Sequence, residues 1–368
     1  MKLETKNEIR IIVAGGGTGG HLFPGVAMAE EIKRRYKKAM FLFVTGRRKM
    51  ESEILAHFGF NQASISVEGI KGRGWKKGAM VLFKLPYSFF QSLLIIKRFS
   101  PDLVLGVGGY SAGPICLAAK IMSIPAAIHE QNSFPGLTNR LLCRIVDRVF
   151  ISFEESRKHF PGGSLHLTGN PIREGLLAEK TSGKGLKDRF TILVIGGSQG
   201  ARSINRAFVE ALEILKAKGI DPLIIHQTGE TDHAPVVEEY RHRGLKGNIM
   251  PFIKDMAGAY DRADMVVSRA GATTISELAS LGKPSILIPY PFASNNHQEI
   301  NARVLVQVGG AEMILQNDLN GERLAELLIK YMDDRKALVK MVEQAKKKGR
   351  PDAVKVIVDQ LEEIIRLH

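Results

Sequence analysis

The run Ile11-Ile12-Val13-Ala14-Gly15-Gly16-Gly17-Thr18-Gly19-Gly20-His21 constrains this chain more than any other stretch. Four apolar residues read as a buried strand, the glycines as a tight turn, and the pattern from His21 onward as a helix. Glycine adopts backbone conformations closed to other residues and lets a ligand come close to the main chain. The helix start behind it offers unpaired N–H groups and a positive dipole end to an anion. A histidine at that helix start is a further feature, because a loop built only to hold phosphate does not need a base.

The same grammar continues. Apolar runs near 9–14, 40–45, 63–67, 103–105, 126–129, 148–151 and 165–168 alternate with helical patterns near 21–36, 50–58, 79–99, 113–122, 137–145 and 154–159. Such alternation predicts parallel βαβ units in a doubly wound α/β sheet. A polar, glycine-containing stretch at 179–185 reads as a linker. Beyond it the scheme restarts, with a strand at 191–195, a second glycine loop Gly196-Gly197-Ser198-Gln199-Gly200, and strands near 223–227, 248–250, 265–268 and 285–288. At 368 residues the chain is too long for one ordinary core, so two domains are expected. We set them at 1–172 and 173–350. A final amphipathic helix, about 351–368 with Val354, Ile357, Val358, Leu361 and Ile365 on one face, is expected to return to the first domain.

Composition narrows the function. The formal charge of +14 calls for an anionic partner: nucleic acid, a polyphosphorylated substrate or an anionic membrane face. Two cysteines give no disulfide framework or metal spacing, and residues 1–10 are polar, which points to the cytoplasm. A nicotinamide dehydrogenase would need an acid about 20 positions after its glycine loop, yet the second strand runs into Thr45-Gly46-Arg47-Arg48. No D-x-D, H-E-x-x-H or P-loop occurs, so neither metal nor cofactor is expected, and leaving-group charge falls to helix ends, backbone amides and an arginine.

Five further features carry chemistry. Gly106-Val107-Gly108-Gly109 follows a strand that, with the first glycine loop, could line one crevice at the carboxyl ends of the sheet. His129-Glu130-Gln131-Asn132 directly follows another; four polar side chains there are costly to bury and are read as facing a polar ligand. Arg173 places a cation at the domain junction. Ser268-Arg269-Ala270-Gly271-Ala272-Thr273-Thr274-Ile275-Ser276-Glu277 is a strand-to-helix junction whose small residues open N–H groups to a diphosphate, with Glu277 placed to accept from ribose hydroxyls. Between Ile70 and Phe99, seven basic residues (Lys71, Arg73, Lys76, Lys77, Lys84, Lys97, Arg98) mix with Trp75, Phe83, Phe89 and Phe90 and no acid. That is the pattern of a peripheral membrane surface, and Lys84 and Pro86 interrupt it too soon for a spanning helix.

With these motifs laid out in order, the chain resembles the MurG family of N-acetylglucosaminyltransferases along nearly its whole length. The resemblance implies a GT-B fold, two Rossmann-like doubly wound domains facing across a cleft. It implies an inverting transfer from UDP-N-acetylglucosamine to the muramyl 4-hydroxyl of lipid I, an undecaprenyl diphosphate-linked muramyl-pentapeptide, giving lipid II for peptidoglycan synthesis. By similarity, the second domain binds the donor through Ser198, Ile253, Ala272, Thr273, Thr274, Ile275, Ser276, Glu277 and Gln298. Thr18, Gly19, Gly20, Asn132 and Arg173 contribute from the first, and His21 is the expected catalytic base. Asn296, His297 and Glu299 are alternatives to Gln298 for reading the sugar. The expected location is the cytoplasmic face of the cell membrane, docked through residues 71–98. Two other readings stand: a related transferase with another donor or a diacylglycerol acceptor, and a basic nucleic-acid-binding protein. The latter is disfavoured, since no helix-turn-helix or RNP-type aromatic signature occurs.

Overall fold

The protein is described from a computed structural model covering residues 8–16, 19–67, 75–178, 189–197 and 200–368, with 19, 75–84, 174 and 178 as backbone only. Its chain divides into two compact units, one ending at Arg173 and resuming at Asp352, the other running from Glu174 to Pro351. The proposed linker at 179–185 lies outside the described residues.

The first unit opens with β1 (Glu8–Gly15), α1 (Gly19–Arg35), β2 (Lys38–Thr45), α2 (Lys49–His57) and β3 (Asn61–Ser64). There follow α3 (Trp75–Phe99), β4 (Leu103–Gly108), α4 (Ala112–Ile121), β5 (Ala126–Glu130), α5 (Leu137–Leu142), β6 (Arg148–Ile151) and β7 (Leu165–Leu167). The strands form one parallel sheet in the order β3-β2-β1-β4-β5-β6-β7. Strands β4 and β5 are buried along their whole length, as a parallel sheet covered on both faces requires. At the end of β1 the register slips between Ala14 and Gly15, so that Gly15 pairs with Gly108. Two elements differ from expectation. Residues 154–159 form a 3-10 turn instead of an α-helix, and α3 starts earlier than its apolar run and continues through Pro86.

The second unit repeats the scheme with α6 (Glu174–Ala178), β8 (Thr191–Ile195), α7 (Arg202–Ala217), β9 (Leu223–Gln227), α8 (Glu230–His242), β10 (Asn248–Met250) and α9 (Met256–Arg262). It continues with β11 (Met265–Ser268), α10 (Ala272–Leu281), β12 (Ser285–Leu287), α11 (His297–Val306), β13 (Glu312–Met313), α12 (Gly321–Asp333) and α13 (Arg335–Lys348). The order β10-β9-β8-β11-β12-β13 is again wholly parallel. The edge strand β13 was not expected, because two half-buried residues make no apolar run.

The last helix, α14 (Ala353–Leu367), buries Val354, Ile357, Val358, Leu361 and Ile364 in one core with Leu22, Val26 and Met28 of α1. Arg148 of β6 fastens it further, donating to the Gln360 carbonyl at 3.2 Å and pairing with Glu363 at 2.6 Å.

Candidate functional site

In each unit the glycine loop leaves the carboxyl end of a central strand, where an open parallel sheet gathers its ligands. In the first unit, three neighbouring strands end together: β1 in the glycine loop, β4 in the loop after Gly108, and β5 in the segment 131–136. The β4 loop approaches through glycine. Gly108 (φ +95°) and Gly109 (φ +82°) adopt the left-handed region. A Cβ at Gly108 would stand 2.9 Å from the Nδ1 of His21, and one at Gly109 only 2.5 Å from the Gly16 carbonyl oxygen. The glycines here thus serve close approach as well as turning.

His21 occupies the first turn of α1 and is half-buried. Its Nδ1 lies 2.8 Å from the Oε1 of Gln131. Gly19 and Gly20 form the start of the helix, and Thr18 lies outside the described residues. Arg173 sits with its guanidinium 5.0 Å from the ring centroid of Phe23, also on the first turns of α1, so a cation is held at this end of the unit.

The cluster His129-Glu130-Gln131-Asn132 departs from expectation. Its sequence predicts four side chains facing a ligand, but His129, Glu130 and Gln131 are all buried, and only Asn132 is half-exposed. The Glu130 carboxylate organises the following loop. Its Oε1 accepts from the Asn132 backbone N–H (2.9 Å) and side chain (3.3 Å), and its Oε2 from the Gly136 N–H (3.0 Å) and Asn139 Nδ2 (2.9 Å). Burial is tolerated because each acceptor is met. His129 Nε2 lies 3.1 Å from the Gly169 carbonyl, and its Nδ1 lies 3.0 Å from the Nε2 of Gln131. Burial pushes the His129 imidazole down to about 4.

In the second unit, Gly271 opens α10 and the first turn exposes the N–H groups that have no partner within the helix. Ala272, Thr273, Thr274 and Ser276 line this end. Ile275 is the exception within the expected set: it is 1% exposed, and its N–H already donates to the Gly271 carbonyl at 2.9 Å. It therefore offers a ligand neither side chain nor amide, and its place is in the core. Glu277 follows one turn in, its Oε2 accepting from the hydroxyl of buried Tyr260 at 2.9 Å. Ser198 lies outside the described residues, but its loop is tethered: Gln227 Nε2 donates to the Gly197 carbonyl at 2.9 Å. The same Gln227 accepts from the backbone N–H of Ile253 at 2.9 Å, so the Ile253 amide is committed.

Gln298 stands on the first turn of α11, and its Oε1 accepts from the Tyr290 N–H at 2.9 Å, which leaves its amide nitrogen as the donor. The alternatives are more occupied. Glu299 is engaged by Asn296 (2.6 Å) and Arg303 (2.5 Å), and the His297 ring meets the Ser294 carbonyl at 2.8 Å. Asn295 and Asn296 both take left-handed backbone (φ +54° and +53°), which asparagine tolerates best among residues with a side chain.

Sequence reasoning named Arg269 without a role. Its guanidinium reaches the Ile288 carbonyl (3.2 Å), the Pro289 carbonyl (3.3 Å), the Ser203 hydroxyl (2.9 Å) and the Gln316 amide oxygen (2.7 Å). It thereby pins the loops after β11 and β12, which carry the α10 start and the approach to Gln298. Burial lowers its basicity.

Comparison with known proteins agrees with this layout. Residues 11–151 match the glycosyltransferase family 28 N-terminal domain, and residues 191–357 match the glycosyltransferase family 28 C-terminal domain. Proteins from Syntrophus aciditrophicus and Geobacter sp. are both named UDP-N-acetylglucosamine--N-acetylmuramyl-(pentapeptide) pyrophosphoryl-undecaprenol N-acetylglucosamine transferase. The first is 46% identical over 359 residues, 98% of this chain and 99% of its own. The second is 47% identical over 353 residues, 95% of each. The crystal structure of Acinetobacter baumannii MurG superposes with a TM-score of 0.78 at 30% identity, covering 96% of this chain and 99% of that one.

Proposed function

The chain belongs to the MurG family within glycosyltransferase family 28, and from that membership we propose that it moves N-acetylglucosamine from UDP-N-acetylglucosamine to the muramyl 4-hydroxyl of lipid I, giving lipid II. The observation that carries the reading is a relationship spanning both units at nearly full length, with every relative named above carrying one activity. The fold is accordingly the two-domain GT-B type.

In the second unit, the α10 start meets the diphosphate with open N–H groups, Glu277 accepts from the ribose, the Ile253 carbonyl faces uracil, and Gln298 donates to the sugar. Ser198 and its glycine loop hold phosphate. In the first unit, Thr18, Gly19, Gly20, Asn132 and Arg173 contribute to substrate binding, and His21 takes the proton from the attacking hydroxyl as the new bond forms. Direct displacement inverts an α-linked donor to a β-linked product. Charge building on the departing UDP is met by helix-terminal N–H groups and arginine.

The acceptor carries a long lipid, so the first unit works at a membrane, on its cytoplasmic face. Among the described residues no helix is long and apolar enough to cross one. What supports docking is a set of exposed apolar side chains on helices that pack side by side: Tyr87, Phe90 and Leu94 on α3, Ile121 on α4, and Leu137 and Leu141 on α5. Lys97 and Arg98 on α3 and Lys120 on α4 are exposed as well. Lys71 and Arg73, and the side chains of Lys76, Lys77 and Lys84, lie outside the described residues. Each basic residue near an anionic surface adds about 1 kcal/mol. Changing Phe90 and Leu94 to aspartate should release the protein from anionic vesicles, and unchanged vesicle binding would assign the membrane face elsewhere.

The deciding experiment is incubation with UDP-N-acetylglucosamine and a soluble-chain lipid I analogue, with and without EDTA. UDP release with formation of a β-1,4 disaccharide in both supports the reading. Release only with a diacylglycerol acceptor, or with another nucleotide sugar, overturns it in favour of a related transferase.

A further inference from the structure

We infer that Gln131, itself oriented by buried His129, is a positioning residue that fixes which ring nitrogen of His21 carries the proton. The inference rests on the proposed role of His21 as base only for its catalytic consequence; the tautomer follows from the hydrogen bonds alone.

The assignment starts from two groups whose roles cannot change, because a carbonyl oxygen only accepts. The Gly169 carbonyl stands 3.1 Å from His129 Nε2, so that nitrogen carries a hydrogen. The Ser152 hydroxyl agrees: it donates to the Glu130 carbonyl at 2.9 Å and turns a lone pair toward the same Nε2 at 3.3 Å. His129 is wholly buried and neutral, so its Nδ1 is left as an acceptor. That acceptor faces the Nε2 of Gln131 at 3.0 Å, and the Val107 carbonyl faces the same nitrogen at 2.9 Å. An amide group has two hydrogens, and each now has a destination. Turning the amide over would set its oxygen 2.9 Å from the Val107 oxygen and demand a charged His129 in the interior, which is costly on both counts.

With the nitrogen of Gln131 so committed, its oxygen faces the Nδ1 of His21 at 2.8 Å. An amide oxygen only accepts, so His21 must donate from Nδ1. The lone pair of the neutral ring then sits on Nε2, the nitrogen turned away from Gln131 and able to take a proton from a substrate. Free histidine favours the opposite tautomer, which would present an N–H where a base is required. The chain of bonds from Gly169 through His129 and Gln131 to His21 therefore sets a proton position at the glycine loop after β1 from a backbone carbonyl just after β7, four strands along the sheet. Gly108 tightens the setting, since a side chain there would strike the ring.

The test combines spectroscopy and kinetics. In protein with ring-labelled histidine and no substrate, 15N spectra should show His21 with Nδ1 protonated at neutral pH, the signal being assigned by its loss in His21→Ala. Gln131→Leu should give a mixed or reversed tautomer, reduce kcat by about 10–100-fold, the range for partners that orient a functional histidine, and leave the KM for UDP-N-acetylglucosamine within about twofold. Gln131→Glu, whose protonated form retains both an acceptor and a donor, should recover part of the loss. A wild-type His21 protonated on Nε2 overturns the inference even if the variants fail to fold. So does a folded Gln131→Leu with unchanged tautomer and kcat. Failure of the function reading is seen separately, as absence of transfer in the wild-type enzyme, and does not move the spectrum.

Discussion

Each unit keeps a buried glutamine behind its glycine loop, and the two are put to different use. In the first, Gln131 donates to the Val107 carbonyl and offers its oxygen to an imidazole. In the second, Gln227 donates to the Gly197 carbonyl and offers its oxygen to the Ile253 backbone N–H. Behind each lies a buried histidine: His129 on β5, bonded onward to Gln131, and His226 on β9, closed off between Tyr240 (3.0 Å) and Asn205 (3.1 Å). One scaffold thus terminates its polar network in a side chain that can exchange a proton, and the other terminates it in main chain. The first suits acid–base work on an acceptor; the second suits holding a nucleotide in fixed geometry.

The largest effect should follow from removing the exchanging group. His21→Ala is expected to lower kcat by about 10²–10⁴-fold, the usual worth of a positioned general base, with little change in donor KM. Near-wild-type turnover at saturating donor would erase the distinction between the units. The reverse phenotype is expected from the second. Glu277→Ala removes the carboxylate proposed to accept from the ribose, a charged hydrogen bond worth about 1.5–3 kcal/mol, and should raise donor KM by about 10–100-fold. A kcat loss without a KM change would mean that Glu277 does not meet the donor. A smaller effect should come from Gln227→Leu, which frees Gly197 and Ile253 from each other. Loss of these two neutral bonds predicts a donor KM raised by about 5–10-fold, measured alongside Gln131→Leu, whose effect should fall on kcat instead.

Much of this layout was legible because parallel βαβ units write themselves in apolar runs broken by glycine, as at 9–14 and 191–195. The α10 junction was equally plain. Even the inward turn of Ile275 was available, since Ala272, Ile275, Leu278 and Ala279 repeat at helical spacing and are all buried. The cluster at 129–132 was not legible. Consecutive polar residues at a strand end suggest a ligand, and nothing local reveals that their partners lie at Gly169, Asn139, Val107 and His21. Long-range hydrogen bonds between single polar groups leave no periodic trace, unlike the burial of a face. The edge strand β13 escaped for a related reason: its pairing with β12 is imposed by position, not by its two residues.

The smallest effect at neutral pH concerns the two buried histidines, and it sharpens the comparison most cleanly. Burial lowers His129 from 6.5 to about 4 and His226 from 6.5 to about 3. Below pH 6.5 the unfolded chain therefore binds protons that the folded chain refuses, and stability rises with pH in this range. It should be unaffected by these groups above about pH 7 and fall as pH drops from 6.5 toward 4, which urea midpoints across that window would measure. His129→Gln and His226→Gln each remove one such group, so each should flatten the slope of stability against pH. Only His129→Gln should also lower kcat at neutral pH, because only that imidazole orients Gln131. If both variants lost turnover equally, the closed network around His226 would be coupled to the chemistry after all, and the contrast between an exchanging and a holding unit would fail.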